Sequence, residues 1–137
     1  MSRAAFCCSM RVYWEDTDAG GVVYYANYLR FLERARTEWL RSLGIEQGRL
    51  REEARLQFAI VDLTVHYRRP ARYDDLLFVS VTPREAGRAT VSFDQEIRRS
   101  SADGQLLVEA QVRAACLDAQ TLKPRPMPRM LIEEIAK

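Results

Sequence analysis

The sequence predicts a single α+β domain in which an antiparallel five-stranded sheet is covered by one long helix. Three observations support this fold class: one strand-like run comes first, an amphipathic helical repeat follows, and four more strand-like runs separated by turn residues fill most of the remaining chain. Only one helix is long enough to cover the apolar face of the sheet, so we expect the sheet to wrap around it. With 137 residues the chain can bury one core, and we expect one domain over residues 1–137.

The first strand is predicted over residues 6–15, where Met10, Val12 and Trp14 alternate with more polar neighbours. Near residue 28 the apolar spacing changes to that of a helix, which predicts a helix over residues 28–43. Gly44 supplies the left-handed residue that commonly ends a helix. The apolar stripe of this helix consists of Tyr28, Leu32, Ala35, Trp39 and Leu43.

A short helix or a lid-like connection is predicted over residues 46–55. The four later strands are predicted at residues 58–68, 76–84, 89–98 and 106–118. Short turn segments separate them, and Asp103-Gly104 is a strong hairpin signal. We therefore expect an antiparallel meander, followed by a short terminal helix over residues 129–135.

The outer face of such a sheet is expected to need cover. Phe78, Phe93 and Tyr67 stand at alternate strand positions, and we interpret them as outer-face residues that another copy of the chain covers. The protein is therefore expected to be a homo-oligomer.

The most informative segment is residues 15–28. Asp16 and Asp18 follow the first strand, Gly20 and Gly21 come next, and the long helix begins directly afterwards. The glycines allow a ligand to approach the backbone closely, and the start of the helix presents unpaired N–H groups. A carboxylate and a helix end that can stabilise an oxyanion are therefore neighbours in the sequence.

This segment carries a family resemblance. Residues 13–28 read Tyr-Trp-Glu-Asp-Thr-Asp-Ala-Gly-Gly-Val-Val-Tyr-Tyr-Ala-Asn-Tyr, the likeness continues to Leu40, and residues 67–75 match less strictly. The chain resembles the hotdog-fold acyl-CoA thioesterases of the 4-hydroxybenzoyl-CoA thioesterase type, in particular the group associated with the Tol-Pal cluster of Gram-negative bacteria. Tyr25 matches the hydroxybenzoyl branch, whereas many Tol-Pal-associated members have His at this position.

The resemblance implies a hotdog fold and hydrolysis of an acyl-CoA thioester to the acid and coenzyme A. It implies that Asp18 is the catalytic carboxylate, as nucleophile or general base, and that backbone N–H groups including that of Tyr25 form the oxyanion site. It further implies substrate contacts from Gly21, Val23 and Tyr25, and a contact of Arg88 with the nucleotide end of coenzyme A. Dimers or tetramers with active sites between subunits are implied, with no cofactor beyond the substrate's own coenzyme A and no metal.

The residues themselves leave alternatives open. By spacing alone, Asp18 is better explained as the cap of a turn than as a catalyst, and Asp16 is interpreted as a turn or pocket-rim carboxylate. His66, the only histidine, is interpreted as a buried or interface residue. The main alternative function is a non-catalytic hotdog module that binds acyl groups or acyl carrier protein. A hydratase on the same fold is less favoured, because Asp18 has no histidine nearby in the sequence.

The composition argues against a nucleic-acid-binding protein and against a membrane protein. The 21 Lys and Arg side chains nearly balance the 19 Asp and Glu side chains, giving a net charge of +2, which favours neither a nucleic-acid partner nor a membrane surface. No apolar run approaches the ~20 residues that span a bilayer. The three cysteines lack metal-ligand spacing, and their odd number suits a reducing compartment. We expect a cytoplasmic protein, and the sequence does not fix the length or the aromatic character of the acyl group.

Overall fold

A computed structural model of the protein describes residues 6–136, so the ends of the predicted domain lie outside the described residues. A single 3₁₀ turn, Trp14–Asp16, follows the first strand, and a π-helical turn, Leu50–Ala54, precedes the second. The predicted strands and helices are present, with shifted ends. The elements are β1 Phe6–Arg11, α1 Asn27–Ser42, α2 Gln47–Arg49, β2 Leu56–Tyr67, β3 Leu76–Ala86, β4 Thr90–Arg99, β5 Gln105–Asp118 and α3 Arg129–Ala136.

The five strands form one antiparallel sheet in the order β1-β3-β4-β5-β2. The predicted five-stranded sheet is confirmed, but the predicted meander is wrong for one strand. Only β3, β4 and β5 are consecutive neighbours, whereas β2 pairs with β5 at the far edge. The connection over residues 68–75 therefore crosses the end of the sheet instead of making a tight turn, and this crossing brings it to the candidate site.

β1 is shorter than predicted, because the chain turns after Arg11. The N–H of Val12 donates to the carbonyl of Asp75 at 2.9 Å, and the N–H of Tyr13 donates to Oδ2 of Asp16 at 2.8 Å. These bonds replace strand pairing and start the 3₁₀ turn. Trp14 is consequently 70% exposed and does not lie on a buried strand face.

Helix α1 lies against one face of the sheet and fills the core. Phe31, Leu32 and Ala35 are fully buried, and the Trp39 ring packs edge-on against Phe93 with 5.3 Å between ring centroids. Gly44 ends the helix with a φ of +82°, as predicted. Within the described residues, no helix is long and apolar enough to cross a membrane.

The outer face of the sheet carries only one of the three aromatic residues predicted there. Phe93 is buried against α1, and Tyr67 pairs across the sheet with buried Val108, so both face the helix side. The sheet register places only Phe78 of the three on the outer face, because it alternates with buried neighbours in β3.

The outer face is mainly polar. Arg68 pairs with Glu109 of β5 at 2.8 Å, and Arg98 pairs with Glu96 along β4 at 3.1 Å. His66 pairs with Glu109 in the β2–β5 ladder and is exposed. The predicted buried position of His66 is therefore wrong for the isolated chain. The exposed apolar side chains of the sheet instead concentrate on the edge strand β2, at Ile60, Val61 and Leu63.

A buried amide ties α1 to the middle of the sheet. Gln95, only 1% exposed, donates from Nε2 to the carbonyls of Leu32 at 3.1 Å and Ser80 at 3.2 Å. Its Oε1 accepts a bond from Arg36 at 2.9 Å. The Ser80 hydroxyl accepts the N–H of Glu96 at 3.0 Å, so side chains complete the hydrogen bonding between β3 and β4 here.

Candidate functional site

The Asp18 loop is a small hairpin closed by backbone hydrogen bonds. Thr17 pairs with Val23, the N–H of Asp18 donates to the carbonyl of Val22 at 2.9 Å, and the N–H of Gly21 donates to the carbonyl of Asp18 at 3.0 Å. Gly21 has a φ of +80°, the left-handed conformation that glycine adopts without steric cost at a hairpin bulge. The hairpin therefore fixes the backbone on both sides of the Asp18 side chain.

The Asp18 carboxylate closes this turn and faces solvent. Its Oδ1 accepts the N–H of Gly20 at 2.8 Å, and a Cβ at Gly20 would lie 3.2 Å from the same oxygen. Within residues 6–136, Oδ2 accepts no hydrogen bond. Asp18 is thus both the turn residue that its spacing favours and a carboxylate with one oxygen available for chemistry.

Asp16 has a structural position, in agreement with its interpretation from sequence. The residue is 8% exposed, and its carboxylate accepts the N–H of Tyr13. Its carbonyl accepts two bonds, from the N–H of Tyr24 at 3.0 Å and from Nδ2 of Asn27 at 2.9 Å. Asp16 therefore joins the hairpin to the first residue of α1.

The backbone just before α1 offers unpaired donors. In the described part of the chain, the N–H groups of Tyr25 and Ala26 donate to no protein acceptor. The carbonyl of Tyr25 is held by the hydroxyl of Tyr67 at 3.1 Å, which fixes the peptide chain beside these donors. An N–H in such a position is suited to an oxyanion.

Four tyrosines form a wall around the start of α1. The Tyr25 ring lies 4.9 Å from Tyr24 and 6.4 Å from Tyr67 between centroids, and Tyr67 lies 5.5 Å from Tyr28. A hydrogen bond to Tyr25 raises the pKa of Tyr24, and burial raises the pKa of both Tyr28 and Tyr67. The phenols of Tyr24, Tyr28 and Tyr67 are therefore neutral at physiological pH and place polar hydroxyl groups on an aromatic surface.

The crossing segment over residues 68–75 supports the hairpin from behind. The carbonyl of Ala71 accepts the N–H of Val23 at 2.9 Å, and Arg72 forms a bridge with Val22. Arg99 holds the segment by donating to the carbonyl of Pro70. Residues 67–75 resemble the family less strictly than residues 13–28 do, and a meander with β2 beside β3 gives no reason to expect this segment near Asp18.

Arg99 also forms an ion pair with Asp75 at 3.3 Å. The same Oδ2 of Asp75 accepts the N–H of Arg72 at 2.9 Å, and the carbonyl of Asp75 accepts the N–H of Val12 at 2.9 Å. This pair therefore fixes the end of the segment nearest to β3.

The predicted site residues do not all converge. Asp18, Gly21 and Tyr25 lie on the same hairpin and helix start, whereas the Val23 side chain is 4% exposed and packs in the core. Arg88 stands in the β3–β4 turn, and its carbonyl accepts the N–H of Met127 at 2.7 Å. β3 runs away from the Asp18 end of the sheet, since Leu76 pairs with Arg11, so Arg88 lies at the opposite end of the same chain.

Residues 6–136 contain no group of three or more His, Cys, Asp or Glu side chains arranged to hold a metal ion. Burial raises the pKa of the Cys8 and Cys116 thiols, which favours the protonated and less reactive form. The polar groups that the Asp18 hairpin and the start of α1 present are a carboxylate, backbone N–H groups and phenols.

Known proteins match almost the whole described chain. A family model described as the thioesterase-like superfamily matches residues 12–135. Acyl-CoA thioesterase YbgC of Haemophilus influenzae is 45% identical over 124 residues, which cover 90% of this chain and 89% of that protein. Acyl-CoA thioester hydrolase YbgC of Escherichia coli O6:H1 is 42% identical over 134 residues, 98% of each protein.

Solved structures show the same architecture. A 1,4-dihydroxy-2-naphthoyl-CoA thioesterase from Synechocystis superposes with a TM-score of 0.88 and 27% identity, covering 98% of this chain and 97% of that chain. A probable thioesterase from Bartonella henselae gives a TM-score of 0.85 with 34% identity, covering 91% and 100%. The hotdog arrangement expected from the sequence is thereby confirmed.

Proposed function

Because the chain belongs to the thioesterase-like superfamily, we propose that it hydrolyses acyl-CoA thioesters to the acid and coenzyme A with Asp18 as the reacting carboxylate. The observation that carries this proposal is the hairpin before α1. It holds one free carboxylate oxygen of Asp18 and the unpaired N–H of Tyr25 on one short, hydrogen-bonded stretch of chain.

The N–H of Tyr25 is proposed to bind the thioester carbonyl oxygen and the oxyanion that follows. Such a donor stabilises charge that develops only during the reaction, and loss of one such donor typically lowers kcat by ~10²–10³-fold. A main-chain donor does not depend on the side chain at position 25, so a tyrosine there is compatible with this role.

Asp18 has two possible routes. As a nucleophile, Oδ2 attacks the carbonyl carbon, the C–S bond breaks, coenzyme A leaves as a thiolate, and water then hydrolyses the mixed anhydride. As a general base, Oδ2 takes a proton from a water molecule that attacks the carbonyl directly. Thiolate leaves readily, so neither route requires a strong general acid.

The deciding experiment compares Asp18→Asn with the wild-type protein on a series of CoA esters from acetyl to palmitoyl and benzoyl. Asn keeps the acceptor for the Gly20 N–H but removes the base and nucleophile, so kcat should fall by at least ~10²-fold while the melting temperature stays close to that of wild type. Single turnovers in ¹⁸O-water followed by mass spectrometry then separate the routes, because only the anhydride route can place label in Asp18.

A second candidate function is a non-catalytic module that binds acyl groups or acyl carrier protein. One observation favours it: the Asp18 carboxylate is exposed and its Oδ1 already accepts a hydrogen bond in the turn. Unchanged thioester turnover in Asp18→Asn, with acyl-ligand binding retained, would establish this candidate instead.

A homo-oligomer, dimer or tetramer, is proposed to complete the site. β2 is an edge strand of 12 residues that exposes Ile60, Val61 and Leu63, and an unprotected apolar edge favours pairing with another strand. A second copy that pairs antiparallel through β2 would obey two-fold symmetry. It would also cover Tyr67 and Tyr25 at the end of the same strand, where an isolated chain leaves them 46% and 62% exposed.

The position of Arg88 fits the same proposal. Since Arg88 and Asp18 lie at opposite ends of one chain, an Arg88 contact with coenzyme A requires the arginine of a different copy. The cytoplasm is the expected location for acyl-CoA turnover, and no bound cofactor is needed for either route.

A further inference from the structure

The turn that leads into α1 leaves one backbone carbonyl to be bonded by a side chain. The N–H of Asn27 donates to the carbonyl of Tyr24 at 2.8 Å, and the N–H of Leu29 donates to the carbonyl of Ala26 at 3.2 Å. The carbonyl of Tyr25, which lies between these two, accepts the hydroxyl of Tyr67 at 3.1 Å instead. A side chain of β2 therefore completes the hydrogen bonding at the start of the helix.

The Tyr67 ring is held in place by the sheet and by neighbouring rings. Tyr67 is the last residue of β2 and pairs with Val108 of β5. Its ring lies between those of Tyr28 and Tyr25, at centroid distances of 5.5 Å and 6.4 Å. Tyr28 is only 3% exposed, so the phenol rests against a residue of the core. The hydroxyl thus joins the sheet to the start of α1 through one hydrogen bond.

This bond also sets the direction of the next N–H group. A peptide unit is planar and trans, so the carbonyl of Tyr25 and the N–H of Ala26 point in opposite directions in one rigid plane. Ala26 has helical backbone angles, with φ of −71° and ψ of −21°, and N–H groups at a helix start point away from the helix. In the part of the chain that the structure describes, the Ala26 N–H donates to no protein acceptor.

The phenol should strengthen the Ala26 N–H as a donor. A hydrogen bond to the carbonyl polarises the whole peptide unit, and bonds linked in a chain strengthen one another by roughly 10–30% each. The N–H of Tyr25 precedes it by one residue and is also unpaired. Successive free N–H groups in a turn can bind one negative oxygen together.

We propose that Tyr67 is a positioning residue for thioester hydrolysis, because its hydroxyl directs the N–H of Ala26 to the same oxyanion that the N–H of Tyr25 binds. This inference rests on the proposed function, to which it adds a second donor and the side chain that holds this donor. Tyr67 acts only through the peptide unit between Tyr25 and Ala26 and does not touch the thioester.

Removal of the hydroxyl tests the positioning role. Tyr67→Phe should lower kcat about tenfold, the effect of one ordinary hydrogen bond on a barrier, while KM changes by less than about twofold. Tyr67 is 46% exposed, so water can bond the freed carbonyl and the melting temperature should stay close to that of wild type.

Tyr73→Phe is the matched control for Tyr67→Phe. Tyr73 is 41% exposed and stacks on Trp14, with 3.8 Å between ring centroids. Its hydroxyl bonds to no protein group within residues 6–136. Loss of this hydroxyl should therefore change neither kcat nor KM.

Backbone esters identify the donor. Replacement of residue 26 by lactic acid, through stop-codon suppression with the α-hydroxy acid, exchanges the N–H for an oxygen and keeps the methyl side chain. We expect kcat to fall by at least ~10²-fold, the lower end for loss of one oxyanion donor. Tyr67→Phe added to this ester should have no further effect on kcat, because no N–H remains to be positioned.

A bound ligand reports on the donors without turnover. The probes are ketone analogues of octanoyl-CoA and benzoyl-CoA, in which CH₂ replaces the thioester sulfur and the carbonyl carbon is ¹³C. Hydrogen bonds to the carbonyl lower its stretching frequency in the infrared spectrum. Tyr67→Phe should raise the frequency of the bound ketone, and Tyr73→Phe should leave it unchanged. An unchanged frequency in Tyr67→Phe would overturn the inference.

The outcomes separate this inference from the proposed function. If Asp18→Asn and a backbone ester at residue 25 abolish turnover while Tyr67→Phe and the residue-26 ester behave like wild type, the proposed function stands and this inference fails. Losses that multiply in the combined Tyr67→Phe ester would also overturn it, because Tyr67 would then act through another group. If the wild-type protein hydrolyses no thioester, the proposed function fails, and the carbonyl frequency still decides whether Tyr67 controls a donor to an acyl carbonyl.

Discussion

The hydroxyl of Tyr28 accepts a hydrogen bond from the N–H of Ala71 at 2.9 Å. Tyr28 stands in the first turn of α1, and Ala71 in turn accepts the N–H of Val23 through its carbonyl. The start of the helix and the Asp18 hairpin are therefore joined through the crossing segment, so the distance between carboxylate and amide donors depends on contacts that are remote in sequence.

Removal of this hydroxyl should disturb both folding and turnover. Tyr28→Phe leaves the fully buried Ala71 with an unpaired N–H, and we expect the free energy of unfolding in urea to fall by ~1–3 kcal/mol. We also expect kcat to fall more than KM changes, because the hairpin shifts relative to the helix. Tyr24→Phe, at a 46% exposed tyrosine, is the matched control, and an equal loss of stability there would contradict the prediction.

Alanine substitutions at two glycines distinguish a loss of backbone stability from a direct effect on the candidate site. Gly21 and Gly44 have φ values of +80° and +82°, and an added Cβ meets nothing within 4 Å at either position. Gly21→Ala and Gly44→Ala should each lose ~1–2 kcal/mol of stability through left-handed strain. Only Gly21→Ala should lower kcat for thioester hydrolysis, and a similar fall in Gly44→Ala would show that lost stability alone explains the effect.

The Gln95 side chain should contribute more to the free energy of unfolding than a polar side chain usually does. Gln95→Leu leaves two buried carbonyls without the amide donor and removes the acceptor of Arg36, so unfolding free energy should fall by at least ~2 kcal/mol. Burial already lowers the pKa of Arg36, and loss of its partner adds to that cost. Gln111→Leu, on the exposed side of β5, should change stability by less than ~0.5 kcal/mol, and comparable losses in both would refute the role of the buried amide.

Asp118 at the end of β5 should make the stability of the protein depend measurably on pH in the acid range. Backbone N–H groups of Thr121 and Gln120 hold the Asp118 carboxylate at 2.9 Å each, and these bonds lower its pKa from 3.8. A lowered folded-state pKa stabilises the protein above the unfolded value, and this contribution is lost as pH falls through the folded value.

Asp118→Asn should therefore be less stable than wild type at pH 7, and the difference should shrink as pH falls below 3.8. Thermal unfolding of both proteins across this range measures it. A difference that stays constant with pH would mean that the charge of Asp118 contributes nothing.

The edge of β2 provides the test of assembly. Val61→Lys places a charge on the exposed apolar edge and should shift the protein towards smaller species in size-exclusion chromatography with light scattering. Turnover should fall together with assembly if a second copy completes the site. Leu122→Lys, at a 57% exposed loop residue, should alter neither property, and an unchanged oligomer in Val61→Lys would place the interface elsewhere.

Local patterns predicted the secondary structure well, because each depends on neighbours in sequence. The α1 stripe and the Asp103-Gly104 hairpin signal appear in the structure close to their predicted positions. The position of β2 in the sheet could not be predicted from local patterns. Alternating apolar residues indicate which face of a strand is buried, but they do not indicate which strand it pairs with.

The candidate site shows the same limit. The spacing of Asp18 and Gly21 predicted a turn before a helix, and the turn is present. The support from Ala71, the core position of Val23 and the stack of Trp14 on Tyr73 all depend on the crossing segment. Contacts between residues about 50 to 60 apart in the chain leave no periodic signal in a single sequence.

The buried amide of Gln95 also limits how this molecule can vary. Since one side chain bonds a carbonyl of α1 and a carbonyl of β3 together, a shift of the helix along the sheet would break both hydrogen bonds and leave these polar groups unpaired. Exchange of individual side chains around an unmoved helix is then the less costly way to accept longer or shorter acyl groups, so substrate range is a property to be engineered residue by residue.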